Sequence, residues 1–306
     1  MIRKVLTRRR FTKGLAAAAL LAPLAACGRD QAVTNAEPSP FEPESTQRTA
    51  DFVKLEDSFG AVLGLYALDT GTGRELSHHP DERFGYASTF KALLAGAILR
   101  EYTLEQMDEI VEYSHADLVA HSPIAEQHVD TGMSMYDLCE ATVRYSDNAA
   151  ANLLLAKLDG PAGLNAVLKE LGDDVTRMER YEPGMSDIVE GDTRDTTTPR
   201  AFADNLRAFV LGDVLEDTER ETLTQWLRTN VTGGELIAAG VPEDWVVGSK
   251  TGMGATYGIR NNIGVAWPPS SEPIVMAIMS KYPDQDAEHD NALIARAAAI
   301  VADEFG

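Results

Sequence analysis

The sequence has little cysteine, little positive charge and no long apolar run. Its 306 residues include two cysteines, too few for the disulfide framework of a small secreted domain. No apolar run reaches the roughly 20 residues that a membrane-spanning helix needs. Lysine and arginine number 27 against 48 aspartates and glutamates, which disfavours binding to phosphate backbones. These scarcities exclude a disulfide-rich toxin, a spanning membrane protein and a nucleic-acid-binding protein.

The remaining composition is that of an ordinary folded protein. Hydrophobic residues make up 44% of the chain and charged residues 25%, close to the averages for globular domains. A length of 306 residues suits one large domain or two small ones. We therefore expect a sizeable apolar core.

Residues 1–26 have the pattern of an export signal. A basic region is followed by an apolar stretch of 13 residues that ends in small residues, as in a secretory signal peptide. The basic segment Thr7–Lys13 resembles a twin-arginine export signal. Leu24-Ala25-Ala26-Cys27 resembles a lipobox, in which the cysteine is lipidated and becomes the new N-terminus. An uncleaved anchor, or a plain signal peptide with an incidental cysteine, is the alternative.

Residues 27–45 are predicted to form a flexible tether that starts at the lipidated Cys27. The stretch contains three prolines and almost no large apolar residue, a composition typical of linkers. Six of the 27 basic residues lie in positions 1–26, so the mature chain has 21 bases against 48 acids. That charge favours solubility. We predict an exported lipoprotein, at the cell surface or on the periplasmic side, that touches the membrane only through its lipid.

Sequence patterns divide the rest of the chain into three blocks. Apolar periodicity and turn residues predict helices over 45–57, 90–98, 149–158 and 290–305, a helix opened by Ser134, and strands over 61–68, 245–251, 263–267 and 274–279. We predict an α+β fold in which residues 46–86 and 228–306 form one antiparallel sheet flanked by the N- and C-terminal helices. Residues 87–227 form an all-helical domain packed on it, with the site in the cleft between them.

Four short motifs stand in a fixed order along the chain. They are Ser88-Thr89-Phe90-Lys91, Ser146-Asp147-Asn148, Arg180-Tyr181-Glu182-Pro183 and Lys250-Thr251-Gly252. Average composition produces Ser-x-x-Lys by chance about once in a chain of this length, but Ser-Asp-Asn and Lys-Thr-Gly only about once in tens of chains. The ordered set therefore points to one functional site.

The first motif suits a nucleophilic serine. Ser88 and Lys91 are three residues apart, so on a helix both project from one face. A serine hydroxyl needs a neighbouring base, and Lys91 can act as one if burial or a cation such as Lys250 lowers its pKa. Ser88 is predicted to open its helix, where backbone N–H groups favour a developing oxyanion. An ordinary amphipathic helix with one exposed lysine is the alternative.

The other motifs supply polar groups of matching chemistry. Ser146-Asp147-Asn148 is expected in a turn between two helices, where a hydroxyl can relay a proton and an amide can bind substrate. The same residues also suit a helix N-cap. Lys250-Thr251-Gly252 ends a predicted strand and combines a cation, a hydroxyl and a glycine, which suits a carboxylate-binding site. Arg260 on the next strand adds a second positive group, unless it is a plain surface arginine.

An irregular polar segment, residues 177–195, is expected to form an active-site loop. Long irregular segments inside compact domains are usually functional. Glu182 in this loop, if close to Ser88, can orient a water molecule and take its proton. Arg180 and Asp195 can pair to brace the loop.

With these motifs, residues 45–306 resemble a class A serine β-lactamase. The resemblance implies that Ser88 forms an acyl-enzyme, that Glu182 activates the hydrolytic water and that Ser146 passes a proton to the lactam nitrogen. Either Lys91 or Glu182 takes the Ser88 proton during acylation. The resemblance implies that the substrates are small β-lactams such as penicillins and cephalosporins. It also implies that the protein is a monomer that uses no cofactor and no metal ion.

The resemblance also assigns the substrate-binding groups. Asn148 holds the acylamino side chain of the substrate. Lys250 and Thr251 bind its carboxylate, and the N–H groups of Ser88 and Met253 form the oxyanion hole. Gly252 belongs to the same strand end.

Three positions depart from the family pattern. Ser186 stands where an asparagine usually helps to hold the hydrolytic water, so the shorter side chain puts the deacylation rate in question. His121 replaces an aromatic residue, commonly tyrosine, at the mouth of the cleft. One extra residue separates Lys250 from Arg260, which weakens the match of Arg260 to the family's carboxylate-binding arginine.

Cys139 lies in an apolar helical pattern and is predicted to be a buried small hydrophobe rather than a nucleophile. By the resemblance it matches one half of a disulfide found in some family members. Ala95 stands at the partner position.

Other hydrolase classes fit less well. There is no Gly-x-Ser-x-Gly elbow for a Ser-His-Asp hydrolase. A zinc hydrolase of the His-Glu-x-x-His type is disfavoured because that motif is absent and His78 and His79 are adjacent rather than one turn apart. Two alternatives remain: a penicillin-binding D,D-peptidase, against which Glu182 argues, and a β-lactam binder that acylates but deacylates slowly, which Ser186 leaves open.

Overall fold

The computed structural model describes residues 44–306. The predicted signal peptide, Cys27 and nearly all of the predicted tether lie outside the described residues. The first helix begins at Glu44, so it includes the last two positions assigned to the tether. Within residues 44–306, no helix combines the length and the apolar character needed to cross a membrane.

Within residues 44–306, five strands form one antiparallel sheet, and two pairs of two-residue strands lie outside it. The strands are β1 Val62–Asp69, β2 Glu75–His78, β3 Phe84–Gly85, β4 Ile110–Val111, β5 Met133–Ser134, β6 Thr196–Thr197, β7 Val246–Met253, β8 Arg260–Trp267 and β9 Ile274–Lys281. The main sheet has the order β2-β1-β9-β8-β7, so strands from both chain ends lie side by side. This is the predicted antiparallel sheet with one additional strand, β2, that the sequence patterns did not predict.

Helices cover both faces of that sheet. They are α1 Glu44–Phe59, α2 Phe90–Glu101, α3 Met135–Arg144, α4 Asn148–Lys157, α5 Pro161–Glu170, α6 Pro199–Val210, α7 Asp217–Arg228, α8 Ile237–Gly240 and α9 Asn291–Phe305. The terminal helices α1 and α9 pack on one face, and the helices between residues 90 and 228 pack on the other. The predicted α+β fold is confirmed.

Side-chain alternation along β1 explains this layering. Leu63, Leu65 and Ala67 belong to the core under α1 and α9, whereas Tyr66 and Leu68 belong to the core shared with the helical layer. Successive residues of a strand point to opposite faces, so a strand covered on both sides is apolar throughout. That is why β1 is a continuous apolar run in the sequence.

Helix α2 lies in the centre of the helical layer and is buried on every side. All residues from Phe90 to Leu99 are buried, including Lys91. A helix that is apolar all round is a core helix rather than a surface one. The alternative of an amphipathic helix with an exposed lysine is therefore wrong, and the fold itself places the amine of Lys91 in the interior.

Some predicted boundaries shift in the structure. Ser88 does not open α2 but lies in a short 3₁₀ turn, Ala87–Thr89, that leads directly into it. The helix predicted over 149–158 ends at Lys157, and Pro161 is the first residue of the next helix, α5, a position that proline favours. Ser134 caps α3 by accepting a hydrogen bond from the Asp137 N–H. The division into domains at residues 86/87 and 227/228 stays a prediction.

Candidate active site

The Ser88 turn lies where β7, β8 and the helical layer meet. Asn261 of β8 donates hydrogen bonds from its amide nitrogen to the carbonyls of Gly85 (2.8 Å) and Tyr86 (3.1 Å). On β7, a Cβ added to Gly252 would lie 2.7 Å from the Tyr86 carbonyl oxygen. Only glycine therefore allows β7 to pass this close to the turn, and the two strands together hold Ser88 beside the sheet.

Ser88 and Lys91 meet at hydrogen-bond distance. The Nζ of Lys91 donates to the Ser88 Oγ at 2.9 Å, to the Ser146 carbonyl at 2.9 Å and to the Oδ1 of Asn148. It also lies 3.1 Å from the Oε1 of Glu182. Burial lowers the pKa of Lys91, an effect that the Glu182 carboxylate opposes. A lowered pKa makes the neutral amine accessible as a proton acceptor.

Glu182 reaches the same serine from the loop. The Ser88 hydroxyl donates to the Glu182 Oε1 at 3.1 Å, so one hydroxyl is in contact with both candidate bases. The Ser186 hydroxyl lies 3.4 Å from the other carboxylate oxygen, Oε2. This long contact agrees with the short reach expected of serine at that position.

Ser146 connects the two buried lysines. Lys250 donates from its Nζ to the Ser146 Oγ at 3.0 Å, while Lys91 uses the Ser146 carbonyl. The pKa of Lys250 is held well below its ordinary value, first by burial and then by the charges of Lys91 and Arg260. An anionic ligand placed beside Lys250 would favour its charged form.

Residues at the turn between α3 and α4 make hydrogen bonds to the backbone around His121. Asp147 is the N-cap of α4 through the Ala150 N–H at 2.9 Å, so the capping interpretation is correct for this residue. The Asn148 N–H donates to the His121 carbonyl at 2.9 Å, and its amide nitrogen donates to the Ala120 carbonyl at 2.8 Å. His121 itself is exposed and has a positive φ of 62°.

The loop over 177–195 is held from both ends. The predicted Arg180–Asp195 pair is present, with the Arg180 Nε 2.5 Å from the Asp195 Oδ2. The fully buried Asp195 also accepts from the Glu179 N–H at 2.8 Å and from the Tyr86 hydroxyl at 3.1 Å. This buried carboxylate joins both ends of the loop to the segment that precedes Ser88.

Asn152 of α4 positions Glu182, a contact that no sequence motif predicted. Its amide nitrogen donates to the Glu182 carbonyl at 2.9 Å, and its amide oxygen accepts from the Glu182 N–H at 2.9 Å. The role of Asn261 was not predicted either. The sequence contains a feature that indicates this role: Asn261 and Asn262 interrupt an apolar strand, and buried amide side chains are normally hydrogen-bonded.

The predicted carboxylate-binding groups lie at one end of β7 and β8. Thr251 shares a 2.7 Å hydroxyl contact with Thr232. Met253 is 55% exposed and is the register partner of Arg260, the first residue of β8. Arg260 donates from its Nε to the Asn291 Oδ1 at 2.8 Å, and burial lowers its pKa. It is therefore a partly buried group of this strand end, not a plain surface arginine.

Cys139 is fully buried in the helical core. Burial raises the pKa of its thiol, and it is unpaired among the described residues. The prediction of a buried small hydrophobe is confirmed.

Known proteins are similar to this chain in sequence. A family profile described as "Beta-lactamase enzyme family" matches residues 47–305. A β-lactamase of Amycolatopsis lactamdurans is 52% identical over 256 residues, which cover 84% of each chain. The β-lactamase AST-1 of Nocardia asteroides is 46% identical over 303 residues, 98% of this chain and 96% of that protein.

Solved structures of β-lactamases are similar to this chain in fold. A class A β-lactamase from Clostridium kluyveri has a TM-score of 0.84 at 43% identity and covers 85% of this chain and 99% of its own. A halotolerant bacterial β-lactamase has a TM-score of 0.82 at 48% identity, with 83% and 98% covered. The fold is that of the class A serine enzymes. The chain belongs to the β-lactamase enzyme family.

We expect Asp195→Asn to destabilise the protein and loosen the loop. The change keeps the shape of the side chain but leaves Arg180, which is only 25% exposed, without its counter-charge. Removing one partner of a buried pair should lower the free energy of unfolding by about 3 kcal/mol, measured by urea titration. Asp192→Asn, which removes the partner of Arg194, an arginine whose side chain is 48% exposed, is the matched control. Equal losses of stability in the two variants would show that the buried Asp195 does not brace the loop.

Proposed function

We propose that the protein hydrolyses the lactam amide of penicillin- and cephalosporin-type antibiotics through a covalent acyl-serine intermediate. The observation that carries the proposal is the contact of one hydroxyl with two bases. The Ser88 Oγ lies 2.9 Å from the Lys91 Nζ and 3.1 Å from the Glu182 Oε1. A serine in such contact is activated for attack on an acyl group, and the activity would confer resistance to these antibiotics.

In the acylation step, the Ser88 Oγ bonds to the lactam carbonyl carbon and the C–N bond of the ring breaks. The proton that Ser88 releases passes to Lys91 or Glu182 and then, by way of the Ser146 hydroxyl, to the leaving nitrogen. The hydrogen bond from Lys250 to the Ser146 hydroxyl orients that hydroxyl for the transfer. The N–H groups of Ser88 and Met253 are proposed to stabilise the oxyanion.

In the deacylation step, Glu182 takes a proton from water, and that water attacks the ester carbonyl. The bond from the acyl carbon to the Ser88 Oγ then breaks, and the proton held by Glu182 returns to the serine oxygen. The carboxylate is suited to this role because Asn152 holds its backbone while its Oε1 faces Ser88. Ser186 lies 3.4 Å from the Oε2 and assists in placing the water. A D,D-peptidase has less use for such a glutamate, which favours the hydrolase over that alternative.

The substrate carboxylate is proposed to bind where β7 ends. Lys250 and Thr251 supply the ammonium and the hydroxyl, Gly252 lets the backbone approach, and Arg260 adds positive charge nearby. Binding of an anion there offsets the burial of the Lys250 ammonium. Asn148 is proposed to contact the acylamino group and His121 to line the mouth of the cleft. The chain is expected to act as a monomer.

We expect Glu182→Gln to acylate but to accumulate the covalent adduct. The amide cannot take a proton from water, so deacylation should slow by about 10² to 10⁴-fold while Ser88 still attacks. Intact-mass spectrometry during turnover of a chromogenic cephalosporin measures both steps. Glu179→Gln changes an exposed glutamate of the same loop and serves as the control.

Unimpaired steady-state hydrolysis by Glu182→Gln would show that Glu182 is not the base. Stoichiometric acylation of the unaltered chain without turnover would favour the alternative of a β-lactam binder that deacylates slowly.

The same variant tests which group takes the Ser88 proton. Burial lowers the pKa of Lys91 and the Glu182 carboxylate raises it, so removing that charge lowers the pKa further. If neutral Lys91 is the base, the acid limb of the acylation rate moves to lower pH in Glu182→Gln. Rapid-mixing measurements of acylation across pH follow this limb. A collapse of acylation would assign the role to Glu182 instead, and an unmoved limb would show that the limb does not follow the Lys91 pKa.

We also propose that the chain is exported and lipidated on Cys27. Support comes from residues 1–27, which combine a twin-arginine-like segment with a lipobox. Expression in a bacterial host that processes lipoproteins should yield a membrane-bound chain that starts at a diacylated Cys27, as measured by mass spectrometry. Cys27→Ser should release the protein from membranes. A chain cleaved elsewhere and free of lipid would refute this assignment.

A further inference from the structure

Three side chains at the edge of the main sheet, next to the N-terminal helix, form a cluster with metal-binding chemistry. They are Glu56 of α1, His78 at the end of β2 and His79, the next residue. One ligand atom from each, the carboxylate oxygen and an imidazole nitrogen from each histidine, lies within 4.8 Å of the others. None of these residues has a role in the proposed hydrolysis.

Backbone geometry brings the two adjacent histidines to one side. Consecutive residues of a strand point to opposite faces, which is why adjacent histidines make a poor pair of ligands in the sequence. His79 lies just beyond β2 and has a positive φ of 44°. The chain turns there, and the two rings lie 4.1 Å apart between centroids. Both rings therefore meet the same carboxylate.

His78 presents a buried nitrogen that lacks a hydrogen bond. The residue is 5% exposed, and its Nε2 has no hydrogen-bond partner among the described residues. The Glu56 Oε2 is 3.0 Å away, but its direction does not satisfy hydrogen-bond geometry. A buried polar atom without a partner costs free energy. Such an atom needs an explanation, and a bound ion is one of the few available.

The distances suit a tetrahedral transition metal. Ligands at 2.0–2.1 Å from zinc are about 3.4 Å from one another. The Glu56 Oε2 lies 3.0 Å from the Nε2 of His78, and the Glu56 Oε1 lies 3.5 Å from the Nδ1 of His79. His79 is exposed, so its ring can adjust and an ion can enter from solvent. Glu82 lies 3.8 Å from the His79 Nδ1, but its other carboxylate oxygen pairs with Lys281 at 2.8 Å, so a water molecule would complete the coordination.

The Glu56 side chain is already fixed for this role. Its Oε1 accepts from the Leu63 N–H of β1 at 2.8 Å, while Oε2 faces His78. Such outer contacts orient a ligand before the metal arrives. We propose that Glu56, His78 and His79 bind a divalent transition-metal ion, zinc being the best match, which ties α1 to the edge strand β2. The role is structural and separate from the chemistry at Ser88.

The test measures zinc binding to the full chain, purified without an affinity tag and freed of metal by chelator. Titration calorimetry should show a saturable site that is at least about tenfold weaker in His79→Asn and in Glu56→Gln. Asparagine tolerates a positive φ, and glutamine can still accept from Leu63, so both variants should fold and retain hydrolysis. His128→Asn, which changes an exposed histidine elsewhere, should bind like the unaltered chain.

A second readout separates zinc chemistry from general attraction of cations to an acidic protein. Zinc should raise the Tm of the unaltered chain by several degrees at about 100 times its Kd, and His79→Asn should lose this rise. Calcium prefers oxygen ligands and should give no comparable shift. Equal zinc affinity in all variants, an equal shift with calcium, or no zinc binding at all would overturn the proposal.

Discussion

The burial of the Lys91 amine is the constraint on which the rest of the active site depends. Helix α2 is apolar on all sides because it crosses the centre of the helical layer, and Lys91 comes one turn after the nucleophile. A buried ammonium or amine is costly unless hydrogen-bonded. The protein meets this requirement with Ser88, Ser146, Asn148 and Glu182, which are the groups that the chemistry needs. Stability and reactivity thus come from the same contacts.

Around this amine, buried polar side chains hold irregular backbone in place. Asp147 caps α4 and accepts from the segment after His121. Asn152 holds the backbone of Glu182, and Asp195 joins the two ends of its loop. Each satisfies backbone groups that a loop in the interior would otherwise leave unpaired. The reactive groups therefore lie on loops, yet their positions are as defined as those of helix residues.

Sequence patterns were most reliable where a regular period or a capping rule applied. The apolar strands β1 and β9 and the terminal helix α9 were predicted within a few residues, because burial on a strand or helix repeats with a fixed period. The short edge strand β2 was missed because four residues carry too little periodicity. The roles of Asn152 and Asn261 were not predicted, because the groups that these amides bind are far away in the chain.

Motif order and residue chemistry in the sequence alone determined the class of fold and the kind of reaction. Tertiary structure alone decided the distances: Glu182 follows Ser88 by 94 positions, and only packing brings a hydroxyl and a carboxylate so far apart in the chain into contact. The same holds for Glu56 and the two histidines. Local propensities and spacing follow from neighbouring residues, so the sequence shows them directly. Contacts between distant segments depend on how complete layers pack, and a short motif does not determine that packing.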